Sequence, residues 1–521
     1  MISFLISLLA LLVGYFIYGS FVEHIFRPDD RTTPAVRLSD GVDYVALPTW
    51  KVFMIQFLNI AGTGPIFGAI MGIWFGPAAL LWIVLGCIFA GATHDYLSGM
   101  LSMRHDGESL PALVGRYLGK GTQRVMLVFV VLLMLMVGAV FVYSPAMILA
   151  SFGGTMPLWI AAIFVYYVIA TLLPIDKIIG KVYPLFAASL IFMAVALFAG
   201  LLWKWPSIPE LWDLGNMESW RGNLMVNGHD GLGLTAFVQK NPTFPCLFIT
   251  IACGAISGFH ATQSPLMARC MKSERLGRRV FYGSMIVEGA VALIWASASA
   301  YFFYGEGWRE VLPPEEVEAF LAQVGGPEGK TLIQQYGAPA VVKLLCTAGL
   351  GIAGGVLAML GVVAAPITSG DTAFRSVRLI LAETFHIDQK SVVKRLSVSL
   401  PVFVTAFALL MWQINNPDGF NVMWQYFGWA NQTLSVFTLW TVTVWLTLKG
   451  KPYVVMLVPA VLMTMVCTTF IVVSPQALAL PHWLSWLVAP ASGAVSLVWF
   501  YTWKSRHESR KEAHKIETES N

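Results

Sequence analysis

The sequence predicts an all-α polytopic membrane protein of about thirteen transmembrane helices. Hydrophobic residues make up 57% of the 521 residues and charged residues only 12%, about half the charged fraction of a soluble globular chain. Apolar runs long enough to cross a bilayer recur from one end of the chain to the other. Two of these runs are interrupted in the middle by small and polar residues, which is typical of a substrate-binding membrane protein.

The predicted spans leave no room for a soluble domain of ordinary size. We place them at residues 2–19, 50–74, 77–102, 125–150, 157–174, 183–203, 242–268, 280–305, 341–368, 396–413, 420–448, 453–473 and 481–503. The chain then divides into an extra helix and loop (1–49), a first repeat unit (50–204, helices 2–6), an external loop (205–241), a second repeat unit (242–448, helices 7–11, with an external loop at 306–340), two further helices (449–503) and a cytoplasmic tail (504–521) that we expect to be disordered.

Lysine and arginine are unequally distributed between the two sides of the predicted membrane. Loops that follow odd-numbered spans, together with the C-terminal tail, hold 27 of the 33 basic residues, and the opposite side holds 6. The positive-inside rule therefore places the N-terminus outside and the C-terminus in the cytoplasm. The net charge of +4 does not indicate a nucleic acid partner, and the partner that composition implies is the lipid bilayer.

The two interrupted spans run in opposite directions across the predicted membrane. The first interruption covers residues 59–65 in span 2, and the second covers residues 254–265 in span 7. Spans 2–6 and 7–11 therefore form two five-helix units of opposite topology, each of which begins with a broken helix. This 5+5 inverted repeat resembles the leucine-transporter type of fold and predicts a secondary transporter.

The residues at the interruptions predict half-helices whose N-termini face a binding site. Glycine permits unusual backbone angles, and Pro65 and Pro265 suit the first turn of a resumed helix. Thr63 would cap the first half-helix, and Ser264 or Thr262 the second. Free N–H groups at such termini favour a carboxylate, and an ordinary glycine–proline kink is the alternative. The predicted substrate-binding residues are Gly62, Thr63, Gly64, Pro65, Ser257, Gly258, His260 and Gln263.

Ionisable side chains inside the spans are candidates for coupling, because each costs roughly 2.5–3.5 kcal/mol at a helix centre. Glu288 has no basic residue within two turns, and His260 titrates in a range that suits proton coupling. Asp95 could instead pair with Arg104 or with a neighbouring helix, and Asp371 with Arg375 one turn on. The predicted ion- or proton-coupling residues are Glu288, Asp95, Asp371, Thr368 and Ser369, and the possible polar cavity residues are His94, Asn431 and Gln432.

The remaining chemistry in the sequence is sparse. The six cysteines lie in or beside apolar segments without ligand-like spacing, so we expect small core residues and neither disulfides nor a metal site. No nucleotide-binding loop or catalytic triad is present in the sequence, and no cofactor is expected beyond a coupling ion, H⁺ or Na⁺. The alternatives are a sodium-coupled transporter of another small carboxylate or amino acid, a membrane nutrient sensor, and an intramembrane enzyme that uses His94, Asp95 and Glu288.

Seven ordered motifs resemble the carbon starvation protein A family of peptide and pyruvate transporters. They lie at residues 40–44 (DGVDY), 60–68, 104–110 (RHDGESL), 257–265, 288–295 (EGAVALIW), 366–375 (PITSGDTAFR) and 426–433 (YFGWANQT). Ala46 stands where the family typically has proline, and many relatives are longer at the C-terminus. The resemblance implies a bacterial inner-membrane importer of small peptides or pyruvate during carbon starvation, driven by the proton gradient. It leaves the oligomeric state open.

Overall fold

Helices dominate the computed structural model, which describes residues 1–41, 43–172, 175–215, 217–326, 329–389, 391–416 and 419–519. The main helices are Ile2–Phe16, Tyr18–Phe26, Thr49–Ile60, Ala78–Leu85, Ala92–Arg104, Lys120–Ala150, Met156–Leu172, Ile175–Lys204, Thr243–Thr250, Gly258–Ala268, Gly283–Tyr304, Ala338–Thr384, Val392–Asn415, Gly419–Leu448, Val454–Val473 and Ser485–Glu519. The π-helical segments are Gly64–Gly68, Gly86–Gly91 and Arg278–Tyr282.

Shorter elements connect these helices. The short α-helices are Pro34–Arg37, Ala69–Gly72, Leu110–Tyr117, Arg221–Leu224, Leu234–Lys240, Gly307–Val311, Pro314–Gln323 and Leu332–Gln335. The 3₁₀ segments are Ile73–Phe75, Leu211–Asp213, Met217–Trp220, Glu274–Leu276 and His482–Leu484. A single isolated β-bridge within the described residues joins Val226 and His229.

The all-helical polytopic architecture is confirmed. Among the described residues, eight helices are long and apolar enough to cross a membrane, and a bent pair raises the number to nine. Helices also occupy the other predicted spans, but the count of thirteen stays a prediction. The expected disorder of the tail is wrong, because the last helix runs to Glu519. Its lysine, arginine, glutamate and alanine residues favour a helix, and Lys504 pairs with Glu508 one turn on at 3.7 Å.

The first broken helix consists of Thr49–Ile60 and Gly64–Phe75, which meet at an angle of 53°. Pro65 lies in the first turn of the resumed half, as predicted, because its missing N–H would have no intrahelical partner there. Thr63 occupies the N-cap position, but its side chain makes no capping hydrogen bond. The capping role predicted for Thr63 is therefore wrong, although its position is right.

The second broken helix consists of Thr243–Thr250 and Gly258–Ala268, so its break lies earlier than predicted. The chain turns at Gly254, whose φ of +64° favours glycine. Pro265 lies inside the resumed half, where a helix tolerates proline at the loss of one hydrogen bond. Thr262 and Ser264 are not caps, because their hydroxyls donate to the carbonyls of the preceding turn at 2.6 and 3.0 Å.

The two breaks pack directly against each other in the interior of the protein. A Cβ atom on Gly64 would lie only 2.2 Å from Cβ and 2.3 Å from Sγ of Cys253. A Cβ atom on Gly254 would lie 2.6 Å from Ala292 Cβ. Gly64 is therefore required by the close approach of the second break, and not only by its own backbone angles.

A buried ion-pair cluster joins three segments at one end of the helix bundle. Glu274, whose side chain is fully buried, accepts hydrogen bonds from Nε and Nη2 of Arg104, each at 3.1 Å. It also accepts the backbone N–H of Asp29 at 3.1 Å and lies 3.5 Å from Nε of Arg31. The cluster thus fixes the ends of Tyr18–Phe26 and Ala92–Arg104 to the segment that precedes Gly283–Tyr304.

Replacing Glu274 by glutamine is expected to lower the melting temperature of the detergent-purified protein. Glutamine keeps the side-chain shape but removes the charge that compensates Arg104, and breaking a buried ion pair costs about 3–5 kcal/mol. The control is Asp30→Asn, which opens an exposed pair with Arg275 (2.6 Å, side chains 74% and 64% exposed) and should melt like the wild type. A Glu274→Gln protein that also melts like the wild type would contradict this role.

Replacing Gly64 by alanine is expected to destabilise the protein by about 1–3 kcal/mol, because the new methyl group overlaps the Cys253 side chain. Cys253→Gly removes both overlapping atoms, so the Gly64→Ala/Cys253→Gly double variant should recover much of the lost stability. Gly121→Ala is the control, since open space surrounds that glycine. Melting temperatures of the four variants and the wild type test the contact between the breaks, and strictly additive effects would argue against it.

Candidate functional site

Four of the predicted polar residues meet in one buried line. His94 Nδ1 lies 2.8 Å from Asp95 Oδ1, and His260 Nδ1 lies 2.9 Å from Asp95 Oδ2. His260 Nε2 lies 3.5 Å from Glu288 Oε2. All four side chains are 0% exposed. Helices Ala92–Arg104, Gly258–Ala268 and Gly283–Tyr304 thus each contribute to a single cluster, which we call the histidine–carboxylate line.

The histidine–carboxylate line can hold protons in more than one arrangement. An ionised Asp95 accepts from both Nδ1–H groups, which leaves Nε2 as the second proton-binding atom of each imidazole. A proton between His260 Nε2 and Glu288 can then reside on either group. His94 Nε2, His260 Nε2 and Glu288 Oε2 have no hydrogen-bond partner among the described residues. The structure therefore brings together the groups that proton binding requires.

Glu288 connects the histidine–carboxylate line to the second break. Its Oε1 atom accepts the backbone N–H of Gly254 at 3.4 Å, at the residue where the chain turns. His260 lies in the first turn of the half-helix that follows the break. Glu288 and His260 are therefore both attached to the segment that contains the second break.

Cys253, His260 and Glu288 are the described residues most closely grouped as possible cation ligands, with ligand atoms within 4.8 Å of one another. Cys253 Sγ lies 3.6 Å from Ser257 Oγ and 3.6 Å from Asn431 Nδ2, and the side chain fills the junction between the breaks. We therefore interpret Cys253 as a packing residue. All six cysteines are buried and free, which agrees with the expectation of small core residues.

Asn431 and Gln432 bind the two ends of the second break. Asn431 Oδ1 accepts the backbone N–H of Phe259 at 2.6 Å and the Ser257 hydroxyl at 3.0 Å, so it caps the half-helix from a neighbouring helix. Gln432 Nε2 donates to the Phe248 carbonyl at 2.9 Å, near the end of the preceding half. The oxygen acceptor of Asn431 and the nitrogen donor of Gln432 thus match the opposite polarities of the two helix ends.

The remaining predicted coupling residues lie away from the histidine–carboxylate line. Tyr183 donates to Asp371 Oδ2 at 2.7 Å, and Tyr166 lies 3.5 Å from the same oxygen. Ser369 donates to the Leu58 carbonyl at 2.9 Å, so it contacts the first broken helix. The Thr368 hydroxyl instead bonds carbonyls of its own helix at 2.9 Å.

The structure gives Asp95 other partners than the predicted Arg104, and it places Arg375 near a second aspartate, Asp43. Arg104 is engaged by Glu274, while Asp95 is held by two histidines. Arg375 Nη1 lies 3.6 Å from Asp43 Oδ1. Gln263 is also drawn away from the break, since its amide bonds Thr262 Oγ1 at 2.8 Å within its own helix.

A small gap lies where the two breaks meet. It is too narrow to hold even a water molecule, and it is lined by Gly64, Ile249, Thr250, Ala252, Cys253, Trp424, Phe427 and Gly428. Pockets that hold small molecules usually measure about 300–1,000 Å³, so a substrate can enter here only if the helices separate. Sequence reasoning missed Cys253, Trp424 and Phe427. The signal for the aromatic pair was their position one and two turns before Asn431 on the same helix.

Comparisons with known proteins support a transporter. The sequence profile described as "Carbon starvation protein CstA" matches residues 1–203, 146–307 and 329–470. A relative from Haemophilus influenzae, an uncharacterized membrane protein, is 44% identical over 58% of this chain and 91% of its own length. The peptide transporter CstA of Campylobacter jejuni is 27% identical over 86% of this chain and 76% of its own, and that of Escherichia coli 26% over 82% and 74%.

Solved structures of transporters share the fold. A manganese transporter from Eremococcus coleocola superimposes with a TM-score of 0.53 at 12% identity, over 91% of this chain and 99% of its own. A Na⁺-coupled sialic acid symporter gives a TM-score of 0.53 at 12% identity, over 93% and 96%. Both have the leucine-transporter type of fold, so that part of the fold prediction is confirmed. The chain therefore belongs to the carbon starvation protein CstA family of membrane transporters.

Proposed function

We propose that this protein imports small peptides, and the smaller carboxylate pyruvate, across the bacterial inner membrane during carbon starvation. Transport is secondary active, works by alternating access and is coupled to protons. The names of relatives that are called peptide transporters support the substrate class. The N-terminus lies outside and the C-terminus in the cytoplasm, as the distribution of basic residues indicates.

The observation that carries the proton-coupling proposal is the contact of the histidine–carboxylate line with the second break. Glu288 and His260 exchange the coupling proton, and Asp95 holds His260 in the orientation that directs Nε2 to Glu288. Gain or loss of that proton changes the acceptor that Glu288 offers to the Gly254 N–H. Asp371, which contacts two tyrosine hydroxyls elsewhere, is the second candidate carrier.

The substrate carboxylate binds at the interrupted backbone between the two five-helix units, which we propose to be inverted repeats. At the first break the Gly62 N–H already donates to the Ile60 carbonyl at 2.9 Å, so the break offers the N–H groups of residues 63 and 64 and the unpartnered Thr63 hydroxyl, next to Pro65. At the second break, Asn431 already holds the Phe259 N–H and the Ser257 hydroxyl. A carboxylate that binds beside Ser257, Gly258 and His260 must displace that amide oxygen, whereas Gln263 lies further along the helix.

Sodium coupling is the second candidate, because Ser369 lies against the first broken helix. Its hydroxyl contacts the Leu58 carbonyl, and a Cβ atom on Gly62 would lie 3.1 Å from Ser369 Oγ. Hydroxyl and carbonyl oxygens are ligands that suit a hard cation, and the Thr368 hydroxyl lies one residue away. Proton and sodium coupling predict different ion requirements for uptake.

Uptake of labelled dialanine into proteoliposomes is expected to rise when an inward proton gradient is imposed, and Glu288→Gln should remove that response. The amide keeps the shape of Glu288 but cannot exchange a proton. Glu306→Gln is the control, since this exposed residue pairs with nearby Arg309 and should respond like the wild type. Replacing sodium by choline should leave wild-type uptake unchanged.

Two results would count against this mechanism. Uptake that is independent of the pH gradient and requires sodium would indicate that a sodium ion bound near Ser369 drives transport. A Glu288→Gln protein whose uptake still follows the gradient would exclude Glu288 as the carrier. Asp371→Asn would then be the variant expected to lose coupling.

A further inference from the structure

Two amide side chains on the first broken helix are completely buried without hydrogen bonds. Gln56 and Asn59 are both 0% exposed. Neither the nitrogen nor the oxygen of either amide has a hydrogen-bond partner among the described residues. The Thr63 hydroxyl, in the adjoining break, is also buried without a partner. Gln56, Asn59 and Thr63 follow one another along the chain toward the contact between the breaks. We call these three side chains, whose donors and acceptors have no partner, the row.

The spacing places the two amides side by side. Residues three apart on a helix share a face, with their Cβ atoms about 5–6 Å apart. Asn59 is the penultimate residue of Thr49–Ile60, and Thr63 immediately precedes Gly64, which lines the gap between the breaks. The helix that carries the row packs against Gly258–Ala268 and Gly283–Tyr304, the two helices that hold His260 and Glu288.

Such a row is costly unless something binds to it. Each buried polar group without a partner costs about 1–3 kcal/mol, and native proteins contain few of them. Each amide offers two N–H donors and a carbonyl acceptor. A ligand that satisfies both kinds of group must itself offer both a donor and an acceptor, as the N–H and C=O of an amide do.

We propose that Gln56 and Asn59 bind the amide groups of a peptide substrate, which makes them the residues that select peptides over simple carboxylates. This inference rests on the proposed function. A peptide bond presents one N–H donor and one C=O acceptor, whereas pyruvate presents acceptors only and leaves both side-chain oxygens unpaired. An extended chain advances about 3.3–3.6 Å per residue, so one short peptide reaches both side chains.

The test compares dialanine with its ester analogue, alanyl-lactate, in which oxygen replaces the amide N–H. In wild-type proteoliposomes the ester should compete with labelled dialanine at least tenfold more weakly, because it leaves a buried acceptor unpaired. Asn59→Leu and Gln56→Met should each reduce dialanine uptake about tenfold and narrow the difference between amide and ester. Pyruvate uptake should change less than twofold.

The matched control is Gln413→Met. Gln413 is also a buried amide whose two polar atoms have no partner among the described residues, but it lies on Val392–Asn415. This variant should keep the wild-type preference for dialanine. The amide–ester comparison needs only the wild-type protein, so it decides the question even where a variant does not fold.

The outcomes separate this inference from the proposed function. If the wild type imports dialanine and its ester analogue with equal affinity, this inference is overturned and the proposed function stands. Ordered water would then be the partner of the two amides. Unchanged amide selectivity in well-folded Asn59→Leu and Gln56→Met proteins does the same. Failure of the wild type to bind or import dialanine overturns both proposals.

Discussion

A helix that is broken inside a membrane exposes backbone N–H and C=O groups that neither lipid nor the helix itself can satisfy. The second break meets this constraint with side chains from three other helices. Asn431 accepts an N–H from the resumed half, while Gln432 and Trp82 donate to carbonyls of the preceding half and the break. Glu288 accepts the N–H of Gly254. The positions of these helices therefore depend on the break as much as the break depends on them.

Because the second break depends on Glu288, an ionisable side chain is connected to the conformation of the backbone. Glu288 is both a partner of the backbone at Gly254 and the end of the histidine–carboxylate line. A carboxylate with a purely structural role could be replaced by an amide. Glu288 differs, because its second oxygen lies 3.5 Å from His260 Nε2. The same side chain thus holds the break and has an ionisable group, so in the proposed mechanism a proton alters backbone geometry without a dedicated hinge.

Sequence reasoning succeeded where a local physical cost identifies the residue. Pro65 marks the start of its half-helix because proline suits a first turn, and His94, Asp95, His260 and Glu288 were singled out because charge is expensive in a bilayer. The prediction that Pro265 begins a half-helix was wrong, since proline is also tolerated inside a helix. The site's pairings could not be predicted, because Arg104 is taken by Glu274, a residue 170 positions away. The aromatic residues of the gap looked like ordinary span residues, and the cost of Gln56 follows from its lack of a partner, which only the structure reveals.

The contact between Gly64 and Cys253 makes the cysteine a natural reporter of the transport cycle. Its thiol is buried where the two breaks touch, and under the proposed alternating access it is exposed when they part to admit a substrate. The rate at which a small thiol reagent reacts at this position is then expected to report how often the transporter opens. The chain thus carries its own probe of the alternating-access equilibrium, with no label introduced.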